Sequence, residues 1–181
     1  MRYNKTIITK SGAEILIRNG EATDGRAVLE IFEKTHEETD FLFSYTDEKQ
    51  FDDEQESKFL AKKAESSNEV ELLAVMGDKI VGFAGVDAVG TRYKVRHRAD
   101  FGISVLKDYW GLGIGRALTE SCIECAKKAG YTQLELSVVA DNERAISLYK
   151  KTGFIEYGRN PKGFKSRISG YQELVYMLSE L

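Results

Sequence analysis

Apolar residues recur at two intervals along this chain, and each change of interval marks an element. Glu14 to Arg18 (EILIR) has strand character and stops at Asn19 and Gly20. Thr23 or Asp24 then supplies a helix cap, and the apolar stripe that follows, Val28, Ile31 and Phe32 with Ala27 beside it, has the spacing of one helix face. From Glu37 to Phe51 the chain turns acidic and aromatic. A second helix, about Asp52 to Glu65, sets Phe59 and Leu60 among many charges, which predicts a surface position, and Ser66 to Asn68 end it. Val70 to Met76 and Lys79 to Val89 flank Gly77 and Asp78, and a Gly-X pair between two apolar runs predicts an antiparallel hairpin.

The second half continues with a strand at about Tyr93 to Leu106, a turn punctuated by Gly111, Gly113 and Gly115, and a helix that ends near Gly130. Gln133 to Val139 reads as a further strand. Asp141 or Asn142 caps a helix that runs through Lys151 and stops at Gly153. Phe154 to Tyr157 and Gln172 to Leu178 are the last strands, separated by a polar, glycine-containing loop that holds the only proline, Pro161. No internal repeat, low-complexity linker or compositional break divides the chain. The expected fold is α/β (α+β): one domain over residues 1–181, with a single mixed, largely antiparallel sheet flanked by helices.

Composition narrows the function. A formal charge of −3 and a pI near 5.6 provide no basic excess for gripping nucleic acid, and no apolar run approaches the length of a membrane span. The N-terminus, MRYNKTIITKSG, lacks the apolar core of a secretory leader, so the expected location is cytoplasmic. Cys122 and Cys125 share a helical stripe with Leu118 and Ala129, which reads as core packing rather than redox chemistry. With only two histidines, His36 and His97, far apart, no metal site is expected.

The segment with the most chemical content is FGISVLKDYWGLGIGRALTE, from Phe101 to Glu120. A β-branched run there leads through a glycine turn into a helix, an arrangement that presents bare backbone N–H groups to an anion. A nucleotide-hydrolysing P-loop would need Lys and Ser or Thr after its last glycine, but Arg116 and Ala117 follow Gly115. The dinucleotide fingerprint comes nearer, with Gly113, Gly115 and Glu135 about twenty residues on. However, Leu118 stands at its third glycine, and Lys107 to Trp110 form a spacer that it lacks.

The segment instead resembles motif A of the GNAT superfamily, the acyl-CoA-dependent N-acyltransferases. The matching positions are Trp110, where Gln or Arg is usual, then Gly111, Leu112, Gly113, Ile114 and Gly115. ADNERAISLYKKTGF, from Ala140 to Phe154, resembles motif B of the same superfamily at Asn142, Tyr149, Gly153 and Phe154. The resemblance implies an acetyl-CoA cosubstrate. Gly111, Leu112, Gly113, Ile114, Gly115 and Arg116 would hold its pyrophosphate, and Ile103, Ser104 and Val105 its pantetheine arm, with Asn142 and Tyr149 also contacting it. Tyr149 would protonate the departing thiolate.

An amine must lose a proton before it can attack a thioester, and Glu135 and Asp100 are the candidate bases. Relatives often carry a glutamate two residues beyond Glu135, where this chain has Ser137. His97, in the charged run Arg96 to Asp100, is a weaker candidate. The resemblance also puts the acceptor site near His36 to Phe43 (HEETDFLF), with Gly158 to Gly170 as a second wall or a surface loop. The function expected is acetyl transfer from acetyl-CoA to a primary amine, either a small molecule or a peptide, by direct attack in a ternary complex. A catalytically silent CoA-binding module and an NAD-binding oxidoreductase are the alternatives, and a homodimer stays open beside a monomer.

Overall fold

The computed structural model describes residues 1–9, 12–48 and 51–181. Positions 10 and 11 of the leader reading, and 49 and 50 of the acidic aromatic stretch, lie outside the described residues. The chain order is β1 (Asn4–Ile8), β2 (Glu14–Asn19), α1 (Gly25–Glu38), α2 (Asp53–Glu65), β3 (Val70–Met76), β4 (Lys79–Ala88), β5 (Arg98–Val105), α3 (Ile114–Lys128), β6 (Gln133–Val139), α4 (Glu143–Lys151), β7 (Ile155–Ser166) and β8 (Gly170–Glu180). The strands form an eight-stranded sheet in the order β1-β2-β3-β4-β5-β6-β8-β7. Only β5 and β6 among them pair in parallel, so the mixed, largely antiparallel sheet expected from the sequence is the one found.

Several elements differ from expectation. β1 was not anticipated: it is a short edge strand whose side chains are mostly exposed, so it carries no alternation to detect. β5 begins at Arg98 instead of Tyr93, because the preceding residues close turns in which Val95 and Arg96 donate to the Arg92 carbonyl. The expected loop around Pro161 is part of β7, where the register with β8 breaks between Asn160 and Phe164. An edge strand tolerates proline at such a break, since no ladder hydrogen bond is lost. α2 also packs more deeply than its charge suggested. Asp52 and Gln55 form its capping box, while Glu56, Leu60 and Lys63 are buried against the sheet.

Alternation along the strands divides the core into two layers. α1 and α2 cover one face, where Val28 and Leu60 pack on Leu73. α3 covers the other, with Leu118, Cys122, Cys125 and Ala126 among Leu72, Ala84, Val86 and Ala99. The cysteines are fully buried and free, as their stripe implied, and burial pushes the Cys125 thiol up to about 11.

Candidate active site

The parallel pair is short. β5 meets β6 through Arg98, Ala99 and Asp100, after which the strands diverge while β6 stays paired with β8. The β5 edge from Phe101 to Val105 is therefore left without a ladder on that side. A cleft of about 970 Å³ opens at the divergence and reaches both faces of the sheet.

On the α3 face the cleft is lined by the glycine turn and the first turn of α3. Gly111 and Gly113 have φ of +84° and +91°, the left-handed region that glycine enters without strain. Gly113 is the N-cap of α3 and no side chain caps the helix, so its first-turn amides have no intrahelical acceptor. Ile114 is buried and offers only its backbone, and Leu112 packs against the core. Gly115 has a different reason to be glycine: a Cβ there would stand 3.2 Å from Leu148 Cδ2, so it sets the approach of α3 to α4. The Arg116 Nε donates to Glu120 at 2.7 Å on the exposed helix surface.

Trp110 takes up the position where Gln or Arg was expected. Its indole N–H donates to the Val105 carbonyl at 2.7 Å and ties the spacer to the end of β5. The Arg144 guanidinium lies over the Trp110 ring, 4.8 Å from its centroid, and lines the cleft beside Gly111. A cation is thus supplied from α4. Asn142 caps α4 by accepting from the Ala145 amide at 3.2 Å, and it also lines the cleft, as do Ile103, Ser104 and Val105.

Tyr149 projects from α4 into the same cleft. Its ring meets Phe101 edge-on at 6.2 Å and Phe154 at 5.9 Å, and the residue is 8% exposed. Burial raises its pKa, which keeps the phenol protonated, and the hydroxyl makes no hydrogen bond among the described residues.

The opposite face carries carboxylates in a row. Asp87, Asp100 and Glu135 are direct cross-strand partners on β4, β5 and β6, so their side chains share one face. Glu135 is buried and bound in two places by Arg98, with Nη2 to Oε2 at 2.6 Å, and Gln133 also donates to it. Asp87 is held by the buried Lys63. Asp100 faces the cleft between them with no ion pair among the described residues; partial burial, then the neighbouring Glu135 and Asp87, raise its pKa against the pull of Arg98. Of the two candidate bases, Asp100 lines the cleft and Glu135 is tied down behind it. His97 is exposed in the turn before β5, where its carbonyl accepts from Thr132.

The sequence reading overlooked Arg144, Asp87 and Glu71. Glu71 is buried in β3 opposite Gly85, and its Oε2 lies 2.5 Å from where a Gly85 Cβ would be. Burial, with smaller contributions from Asp87 and Glu56, outweighs the attraction of Lys63 and raises its pKa to about 8. An acid within the apolar run VELLAVM was the available signal. The 36–43 region does border the cleft, through His36, Thr39 and Phe41 to Phe43. It is latched to the β7–β8 turn: Asp40 accepts from Ser166, Tyr45 accepts from the Arg167 amide at 2.7 Å, and Arg167 pairs with Asp47 at 2.8 Å.

The split sheet thus sets a bare helix N-terminus on one side of a single cleft and carboxylates on the other. A profile of the Acetyltransferase (GNAT) family matches residues 27–154, and the chain belongs to that family of acyl-CoA-dependent N-acetyltransferases. It is 30% identical over 166 residues to L-amino acid N-acetyltransferase AaaT of Escherichia coli, covering 91% of this chain and 97% of that one. A stretch of 56 residues is 46% identical to the [ribosomal protein bS18]-alanine N-acetyltransferase of Escherichia coli, covering 31% of this chain and 38% of that one. A GNAT acetyltransferase structure from Streptococcus pneumoniae superposes with a TM-score of 0.88 at 32% identity, covering 92% of this chain and 99% of that one. The yncA acetyltransferase of Salmonella typhimurium, solved with acetyl-CoA, shares the fold with a TM-score of 0.81 at 18% identity, covering 92% of this chain and 94% of that one. No described helix is long and apolar enough to cross a membrane.

Proposed function

We propose that this protein transfers the acetyl group of acetyl-CoA to a primary amine by direct attack in a ternary complex. The observation that carries the reading is the β5–β6 divergence, which joins Tyr149, Asp100 and the uncapped α3 N-terminus in one cleft. The first-turn amides of α3, the Gly111–Gly113 turn and Arg144 suit a pyrophosphate. The unpaired β5 edge at Ile103 to Val105 suits the amides of the pantetheine arm, with Asn142 across from it. Acetyl-CoA provides the activated acyl group. Asp100 accepts a proton from the acceptor ammonium, directly or through water, and the freed lone pair attacks the thioester carbonyl. As the C–S bond breaks, the Tyr149 hydroxyl donates its proton to the leaving sulfur, and the second proton that the nitrogen sheds on becoming an amide passes through water to restore the tyrosine. A glutamate pinned by Arg98 is a poorer proton acceptor, so Glu135 acts as an anchor for β6. A cytoplasmic location suits this cosubstrate and two reduced thiols.

The test is Tyr149→Phe, assayed by thiol release over a panel of amines alongside calorimetric titration with acetyl-CoA. The expected result is at least about a hundredfold loss of kcat, the scale of a missing general acid, with the acetyl-CoA Kd unchanged. Binding of acetyl-CoA by the wild-type protein without turnover of any amine would favour a silent CoA-binding module.

A further inference from the structure

The amine half of the cleft has a composition of its own. Among the described residues, the Lys and Arg side chains lining the cleft, Arg116, Arg144 and Lys151, all belong to α3 and α4. The walls supplied by α1, the strap at 39–43, β3 and β4 bring the rings of Phe32, Phe41, Phe43 and Phe83 with the carboxylates of Glu71 and Asp87, and Asp100 stands beside them on β5. The His36 Nδ1 donates to the Phe32 carbonyl at 2.6 Å, its Nε2 pairs with Ser44 at 3.1 Å, and its ring lies against Phe32. A second cavity of about 300 Å³ shares Phe32, Glu71 and Phe83 and extends the same chemistry with Phe51, Phe59 and the buried Glu56. Glu71 borders both spaces. It is 8% exposed, and its carboxylate accepts no hydrogen bond among the described residues.

Resting on the acetyltransferase reading above, we infer that the acceptor is a small primary amine with an aromatic body and no free carboxylate, an arylalkylamine in chemical class. An entering ammonium meets the carboxylate of Asp100, which has no ion pair among the described residues, with Asp87 beside it, and the ring packs among phenylalanines. The α-carboxylate of a free amino acid would be brought beside Asp100 and Asp87, where among the described residues no Lys or Arg lines that half of the cleft and Lys63 is already paired with Asp87, which discriminates against that class. The strap that supplies Phe41 and Phe43 is latched to the β7–β8 turn through Arg167, Ser166 and Tyr45.

The experiment compares initial rates for phenethylamine, L-phenylalaninamide, L-phenylalanine and a tripeptide with N-terminal phenylalanine at saturating acetyl-CoA, with each product identified by mass. Phenethylamine is at least as basic as phenylalanine, so a gain cannot come from a more easily deprotonated amine. The expected kcat/KM for phenethylamine and the amide exceeds that for phenylalanine and for the tripeptide by at least about tenfold, and Asp87→Asn narrows the ratio of phenethylamine to phenylalanine. Equal or better use of phenylalanine, or preference for the tripeptide, overturns the inference. No turnover of any of the four while calorimetry still detects acetyl-CoA binding overturns it alone, whereas loss of acetyl-CoA binding as well overturns the reading on which it rests.

Discussion

Replacing Glu71 by glutamine isolates the cost of holding one carboxyl group inside the sheet. Its pKa is about 8 in the folded chain against 4.5 when unfolded, and burial is the main cause. Between those values the folded state keeps a proton that the unfolded state has released, so stability falls as pH rises through the window and the loss is complete above about pH 8. Each unit of pKa difference is worth about 1.36 kcal/mol, so the difference of 3.5 (8 minus 4.5) sets a ceiling near 5 kcal/mol. About 4 kcal/mol of it falls between pH 5 and pH 8.5. Lys63, Asp87 and Glu56 face the group from α2 and β4, and they are common to both proteins. Urea unfolding of wild type and Glu71→Gln at the two pH values measures the effect. The variant is expected to match wild type near pH 5 and to exceed it by about 4 kcal/mol at pH 8.5. A difference between the two proteins that does not change with pH would refute the reasoning.

The remaining predictions concern the two sides of the cleft. Asp100→Asn is expected to lower kcat/KM at least about a hundredfold near neutral pH while leaving acetyl-CoA affinity in place, measured by steady-state kinetics and calorimetry. Glu135→Gln leaves Arg98 without its buried partner and should cost about 3 kcal/mol in urea unfolding while the folded fraction keeps its turnover, which separates an anchor from a base. Arg144→Ala should weaken acetyl-CoA binding about tenfold in the titration, with kcat at saturation little changed. Gly85→Ala should reduce stability by at most about 1 kcal/mol, because the new methyl group needs only the flexible end of the Glu71 side chain to move, and it should lose that effect in a Glu71→Ala background.

How far the site was legible depended on whether its chemistry was local. The glycine turn, the Asn142 cap and the Tyr149 helix are each contained in a dozen or so residues, with backbone conformation and spacing written in one stretch of chain. The carboxylates were not legible in this way. Asp100 and Glu135 looked equivalent along the sequence, and what separates them is Arg98, placed beside Glu135 by a parallel pairing across 37 residues of sequence. Lys63 reaches Asp87 from α2, a helix whose charges suggested the surface. β1 and the long β7 escaped notice because edge strands bury too little to impose alternation.

The sequence by itself determined most of the elements, the order in which those follow, and the glycine turn at the start of α3, because helix caps, left-handed glycines and apolar periodicity act over a few residues. Tertiary structure alone decided that β5 and β6 part after Asp100, that Glu135 is pinned while Asp100 has no ion pair among the described residues, and that the Arg144 guanidinium lies over Trp110 beside the glycine turn. Those outcomes depend on register and on charges meeting across the sheet, and a residue carries no local mark of the partner that will be folded against it.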